Sequence, residues 1–343
     1  MGLQIGDIVP RKEISFEELK GKTLAVDAFN VIYQFISTIR QPDGTPLMDS
    51  KKRVTSHLSG LFYRNLNLLL EGIKLVYVFD GKAPELKGRT HELRQEMKDV
   101  ASEKYEKAKD EEDIESMGRY AKQMTRLTSE MIVESKELLE AMGIVVVQAP
   151  SEGEAQASYI CKRGDVYAVA SQDYDCLVFE TPKLIQNLTL ARKRKISSGS
   201  YVEIKPQLIE TKEVLKELEL DKEQLLCLAI LSGTDYNPGG VKGIGPKKAL
   251  KLVKEHKTPE KIFGALDVLV MSGKYNVEFD WREIYELLKN PKVDEKYKII
   301  FPKMSFSKIK KILMEHDFSE ERIDSQLSKL AWLIEEKKQR TLF

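Results

Sequence analysis

Sulfur and imidazole are scarce in this chain. Its 343 residues include three cysteines and four histidines. Cys161, Cys176 and Cys227 show no paired spacing, which argues against a disulfide framework and against a zinc site. The histidines do not cluster, so a His-rich metal site is disfavoured too. No apolar run is long enough to span a bilayer. The opening "MGLQIGDIVPRKEISFEEL" lacks the basic-then-apolar plan of a signal peptide, so a soluble intracellular protein is expected. An excess of either charge is also missing: 55 Lys and Arg face 54 Asp and Glu, for a net +1. That balance does not exclude nucleic acid, because local charge decides such binding. There is no internal repeat and no low-complexity block. The length suits one large domain or two modest ones with ample core.

What is present is an alternation of apolar runs and helical patterns. "TLAVDAF" (23–29), "IKLVYVFD" (73–80), "GIVVVQAP" (143–150), "DVYAVASQD" (165–173) and "PKLIQNLT" (182–189) read as strands buried on both faces. Helical patterns over 53–71, 85–142 and 152–163 lie between them, which predicts an α/β fold with a mainly parallel sheet. From about 206 onward the chain reads as mostly helical, including 221–232, 246–256 and 306–338. The stretch 85–142 has no proline and dense charge, and it is several times longer than an ordinary crossover. It reads either as a solvated helical hairpin or as a lid over the sheet edge.

Asp27, Asp80 and Asp173 each close an apolar strand, where ligands bind in open α/β sheets. Glu152 and Glu154 start a helix that Ser151 is placed to cap, although acidic residues in a first turn are also ordinary dipole partners. Asp175 follows Asp173 by two, so both face one side if the strand continues. Asp235, in "LSGTDYNPGG", joins them if the helices fold back. Crowded carboxylates do not all stay ionised unaided. Divalent hard cations resolve that conflict, and Mg²⁺ prefers oxygen ligands. Metal-dependent phosphodiester chemistry is the favoured reading, with a phosphatase of the HAD type or a small-molecule phosphotransferase left open.

"NPGGVKGIGPKKALKLVKEH" (237–256) makes a tight turn at Gly243 and Gly245, with Pro246 suited to the first helical position. Lys247, Lys248, Lys251 and Lys254 follow it. Exposed helix-start amides beside lysines suit a phosphate backbone and read no sequence. The stretch resembles the hairpin of a helix–hairpin–helix DNA-binding element. The basic run "ARKRK" (191–195) reads as a solvated loop or a further DNA contact.

Together, "VDAFNVIYQF", "SHLSGLFYR", "VYVFDGKAPELK", "APSEGEAQA", "SQDYDCL", "LSGTDYNPGGVKGIGPKKA" and "FSEERI" resemble the flap endonucleases of the structure-specific 5′-nuclease superfamily, nearest the archaeal–eukaryotic branch. The resemblance implies a PIN-like fold and a set of seven metal ligands: Asp27, Asp80, Glu152, Glu154, Asp173, Asp175 and Asp235. It implies two Mg²⁺ ions, with Mn²⁺ able to substitute. It makes most of the stretch 85–142, about 85–130, a helical arch that passes a 5′ single strand. Lys87 and Arg94 then become the basic pair that neutralises the scissile phosphate. Seven residues apart, the two share a helix face. Tyr33 matches a base-stacking aromatic, its bland alternative being a core tyrosine. Arg40, Arg64 and the backbone at Gly233 match DNA contacts, and Glu152 and Asp235 join the DNA-facing set. Gly2 would lie near the metals.

The implied organisation is a single nuclease core over 1–332. It comprises an N-terminal region (about 1–105), the arch (about 85–130), an internal region (about 122–256) with the helix–hairpin–helix at about 222–256, and a helical region to 332. The tail, 333–343, matches a sliding-clamp motif only at Gln339 and Leu342. The chain stops at Phe343 without the distal aromatic pair, so the clamp is a partner expected from the family and only partly supported by this tail. Gly153 stands where relatives often have alanine, with an expected effect on helix stiffness alone. The implied activity is cleavage at the base of 5′ flaps, with 5′–3′ exonuclease activity, in lagging-strand maturation and long-patch repair. A 5′ exonuclease, a junction resolvase or a non-catalytic DNA scaffold are the rivals. A monomer is expected, cytoplasmic or nucleoid-associated if archaeal, which is favoured, or nuclear if eukaryotic.

Overall fold

In the computed structural model, the β-branched runs form a seven-stranded sheet covered on both faces. The structure describes residues 3–41, 43–111, 113–189, 193–195 and 200–340. The chain runs β1 (Lys12–Glu13), β2 (Thr23–Asp27), α1 (Ala28–Thr38), α2 (Ser56–Leu70), β3 (Lys74–Phe79), α3 (Gly88–Asp110), α4 (Ile114–Gln123), α5 (Ser129–Ala141), β4 (Val145–Gln148), α6 (Gly153–Lys162), β5 (Ala168–Ala170), α7 (Asp175–Val178) and β6 (Lys183–Gln186). It continues through β7 (Lys193–Lys195), β8 (Tyr201–Glu203), β9 (Gln207–Glu210), α8 (Thr211–Leu218), α9 (Lys222–Ser232), α10 (Pro246–His256), α11 (Pro259–Met271), α12 (Trp281–Lys289), α13 (Phe306–Met314) and α14 (Glu320–Arg340).

The strand order is β1-β9-β6-β5-β2-β3-β4. The five strands from β6 to β4 are parallel, and β9 and β1 add an antiparallel edge. Successive strand residues point to opposite faces, so each strand feeds two cores. Leu24, Val26, Leu75, Tyr77 and Phe79 pack with α1, α2, α5, α13 and α14. Ala25, Val76, Val78, Val145 and Val147 pack with α6, α9, α10, α11 and α12. The order reverses between β2 and β5, which creates a crevice at their carboxyl ends.

Three expectations need correction. The "QLIE" strand β9 interrupts the region read as helical, because four residues after Pro206 are too short a signal to stand out. The pattern over 306–338 is two helices, broken where Asp317 takes a positive φ of 60° and its carboxylate accepts the Ser50 amide. The insertion is also shorter than it reads. Residues 129–141 form the core helix α5, which buries Leu138 and Leu139 under the sheet. The projecting pair is α3 and α4, which pack on each other. Among the described side chains of α3, burial is confined to Thr90, Ala101 and Ala108. Arg40 ties this pair to the α1–α2 loop by donating to the Gly44 carbonyl (2.7 Å) and to Thr125 Oγ1 (2.6 Å). Gly44, at φ 85°, meets Gly118 of α4 so closely that a Cβ would lie 2.5 Å from its Cα.

Candidate metal centre and nucleic-acid interface

Each of the seven carboxylates is delivered by a different local device. Asp27 ends β2 and caps α1, its Oδ1 accepting the Asn30 amide at 3.1 Å. Asp80 follows β3, and its Oδ1 accepts the Gly153 amide at the start of α6. Glu152 is the N-cap residue of that helix and Glu154 lies in its first turn. Asp173 sits in the turn after β5, Asp175 opens α7, and Asp235 follows α9. Gly233, at φ 104°, makes the bend that sends Asp235 back to the sheet. Gly240 lies so close that a Cβ on Gly233 would stand 2.6 Å from the Gly240 nitrogen.

The electrostatics show how close these groups are. Burial and repulsion from Asp173, Asp27 and Asp175 hold the Glu154 carboxyl well above the usual range. Burial and the charges of Asp173 and Asp235 do the same to Asp175. Burial also raises Asp27. Asp80 is pushed from 3.8 to about 7 by burial, Asp27 and Glu152, and Asp173 to about 6 by burial and Asp235. Asp235 moves the other way, because Lys87 and Arg94 outweigh its burial.

Those two cations lie at the start of α3, Lys87 as its N-cap residue and Arg94 two turns in. Lys87 Nζ lies 2.5 Å from Glu152 Oε2 and 3.2 Å from Asp235 Oδ2. Arg94 Nη2 donates to both oxygens of Asp235, at 2.9 and 2.8 Å. Thr90, between them on the same face, donates to the Asp235 carbonyl. Lys87 also rests 5.5 Å from the centre of the buried Tyr236 ring. Among the described residues no three acidic, His or Cys side chains close to the spacing of a metal cage. The gap between Glu152 and Asp235 is spanned by an ammonium instead. An oxygen-rich, crowded set whose repulsion is already offset by a cation fits hard divalent ions.

Carboxylates whose titration burial shifts upward make a definite pH prediction. Raised values mean that stability is full at acid pH and is lost as pH climbs from 3.8 through about 6 and 7 in the metal-free protein. A divalent ion replaces those protons. The Mg²⁺-induced gain in melting temperature is therefore expected to be larger at about pH 7.5 than at about pH 5. Equal gains at both pH values would contradict this assignment.

Local geometry departs from the sequence reading at several residues. Asp175 does not continue a strand: α7 begins there, so a turn rather than the pleat brings it beside Asp173. Ser151 does not cap α6, because its hydroxyl donates to the Lys82 carbonyl and Glu152 holds the N-cap position. Gly153 does more than soften a helix. A Cβ there would lie 2.6 Å from Asp80 Oδ1, so its absence lets the carboxylate approach.

Tyr33 is 39% exposed beside Arg94 and Arg40, which removes the core-tyrosine alternative. Arg64 is half-buried on α2. Gly243 takes φ 90°, Gly245 caps α10 and Pro246 is its first residue. Lys247 and Lys251 are exposed, whereas Lys248 donates to the Gly243 carbonyl (2.9 Å) and Lys254 pairs with Glu219 (2.7 Å). Part of the expected lysine patch thus holds its own chain. In "ARKRK", 193–195 form β7 against β8, and 191–192 lie outside the described residues. Gly2, Leu342 and Phe343 lie outside them too, and Gln339 falls within α14, which runs across the expected 332 boundary. Sequence reasoning missed Thr90, Ser171 and Tyr236. The signal for Ser171 was its place two residues before Asp173 in the same motif.

Two family models match the chain, the XPG N-terminal domain over residues 4–101 and the XPG I-region over 143–235. Together they contain all seven carboxylates, Asp235 being the last residue of the second region. Flap endonuclease 1 of Pyrococcus furiosus is 52% identical over 344 aligned residues, covering 100% of this chain and 98% of that protein. The solved flap endonuclease-1 of Methanococcus jannaschii superposes with a TM-score of 0.75 at 43% identity, covering 98% of this chain and 100% of the other. The catalytic core of Rad2 in complex with DNA substrate shares the fold, with a TM-score of 0.72 at 24% identity over 96% of this chain and 100% of that one. Half the residues are identical to a relative across the whole length, and the carboxylate crevice falls within the matched regions: the chain belongs to the flap endonuclease family.

Proposed function

We propose that this chain hydrolyses DNA phosphodiesters at the base of 5′ flaps, using two Mg²⁺ ions for which Mn²⁺ can substitute. The observation that supports this most is the meeting of seven carboxylates from both sides of the β2–β5 crevice with Lys87 and Arg94 of the arch base. Asp27, Asp80, Glu152, Glu154, Asp173, Asp175 and Asp235 would hold the ions. When bound, such ions supply a nucleophilic water at neutral pH and neutralise phosphodiester charge. The chain's own groups do the rest. Lys87 and Arg94 turn from carboxylates to the scissile phosphate, placing positive charge where negative charge develops. Exposed Tyr33 offers a face on which a base stacks. The α10 start holds duplex phosphates through free amides and Lys247. The same reading includes 5′–3′ exonuclease activity, flap removal in replication and long-patch repair, and a sliding clamp as partner of the tail.

A labelled double-flap duplex tests it. One flap-sized product is expected with Mg²⁺ and none with a chelator. Products stepping inward from the 5′ end would favour a processive exonuclease, and cleavage of four-way junctions alone would favour a resolvase.

A further inference from the structure

Asp27 and Asp173 come from strands on opposite sides of the crevice, and one uncharged side chain joins them. Ser171 follows β5, which pairs in parallel with β2 up to Val26 and Ala170, so Ser171 stands next to Asp27 across the ladder. Its hydroxyl donates to Asp27 Oδ2 at 3.1 Å and accepts the Asp173 amide at 3.2 Å. Asp27 Oδ1 is already held by the Asn30 amide. Both oxygens of Asp27 are therefore oriented, one by its own helix and one by the neighbouring strand. Ser171 is 2% exposed, so bulk water has no access to replace it. A hydroxyl donates to a carboxylate and accepts an N–H at the same time, whereas alanine does neither and a thiol does both weakly.

We infer that Ser171 is a positioning residue, fixing the Asp27 carboxylate and the Asp173 backbone in one geometry for divalent-ion binding. This rests on the metal-nuclease reading above. Residues that orient metal ligands typically change affinity by about 10- to 100-fold when removed. Ser171→Ala is thus expected to weaken Mn²⁺ binding to the DNA-free protein by about tenfold or more, read by electron paramagnetic resonance of free Mn²⁺. Affinity for a flap duplex in chelator should stay within about twofold, because the buried Ser171 hydroxyl is already engaged by Asp27 and the Asp173 amide and offers no surface to a ligand. Ser171→Thr, which keeps the hydroxyl, should restore Mn²⁺ binding. Wild-type affinity in Ser171→Ala overturns the inference, and so does an equal loss in the Ala and Thr proteins, which assigns the effect to packing. If Ser171→Ala does not fold, Ser171→Cys takes its place with a smaller expected loss, and wild-type affinity in it is equally decisive. A wild-type protein that cuts flaps without any divalent ion sinks the proposed function itself, a result distinct from unchanged Mn²⁺ binding in the variants.

Discussion

Asp175→Asn is expected to bind a 5′-flap duplex as the wild-type chain does and to cut it at least about 10³-fold more slowly. Asp175 is buried at the start of α7, and its Oδ1 accepts the Leu3 amide at 3.2 Å. Asparagine keeps that bond and the shape of the side chain, so the local fold should persist. What it loses is a charge aimed into a crevice shared with Asp173 and Asp235, the two groups that repel it most. Losing that repulsion relieves the metal-free protein, whose melting temperature should rise or stay level. The stabilisation gained on adding Mg²⁺ should shrink, because one anionic partner for the ion is gone. A single-turnover cleavage assay with paired thermal melts reads both effects. Cleavage within about tenfold of wild type would remove Asp175 from the reaction.

The strand-end aspartates were legible because a carboxylate that closes an apolar run is conspicuous. Asp27 and Asp80 needed only the strand pattern and the rule that such ends face a crevice. The family resemblance supplied Asp235, since the sequence does not show that α9 is followed by a glycine bend that brings it back. The pair at 173 and 175 was assigned to the right place by the wrong geometry, because a four-residue helix starting at Asp175 has no periodicity to detect. The insertion was readable as an anomaly of length and charge; the resemblance ended the arch at about 130, beside the start of α5 at Ser129, a boundary that the charge pattern over 85–142 does not itself show. α5 carries enough charge on its outer face to blend with α3 and α4 while its inner face packs on the sheet. Hydrogen bonds made by small polar residues left no trace in composition. Thr90 and Ser171 act through one hydroxyl each, and what gives those hydroxyls meaning is a partner about 145 residues away in both cases. Asp27 and Ser171 meet through strand register, which follows only once the order of the sheet is known.

Lys87→Met should have opposite effects on two properties usually expected to move together. Cleavage is expected to fall by about 10²- to 10³-fold, as when one donor to developing charge is removed. Mn²⁺ binding to the DNA-free protein is expected to tighten by about tenfold. Lys87 in this structure occupies the space between Glu152 and Asp235, and both carboxylates lie within 3.2 Å of its ammonium. An ion entering there must first displace that ammonium. Its apparent affinity is lowered by the fraction of molecules in which the pairs are open. Methionine keeps an unbranched, apolar stem beside the Tyr236 ring and removes the competing charge. Asp235 still has Arg94, whereas Glu152 has no second cation among the described ion pairs. Without metal the variant should therefore be less stable, by about 3 kcal/mol, because the buried Glu152 loses its ion-pair partner. Adding Mn²⁺ should recover most of that loss, because the ion takes the place of the lysine. Thermal melts across a Mn²⁺ titration, run beside single-turnover cleavage, separate the two roles. Mn²⁺ binding that is unchanged or weaker in Lys87→Met would mean the ammonium does not compete for the carboxylates, leaving its role to the phosphate alone.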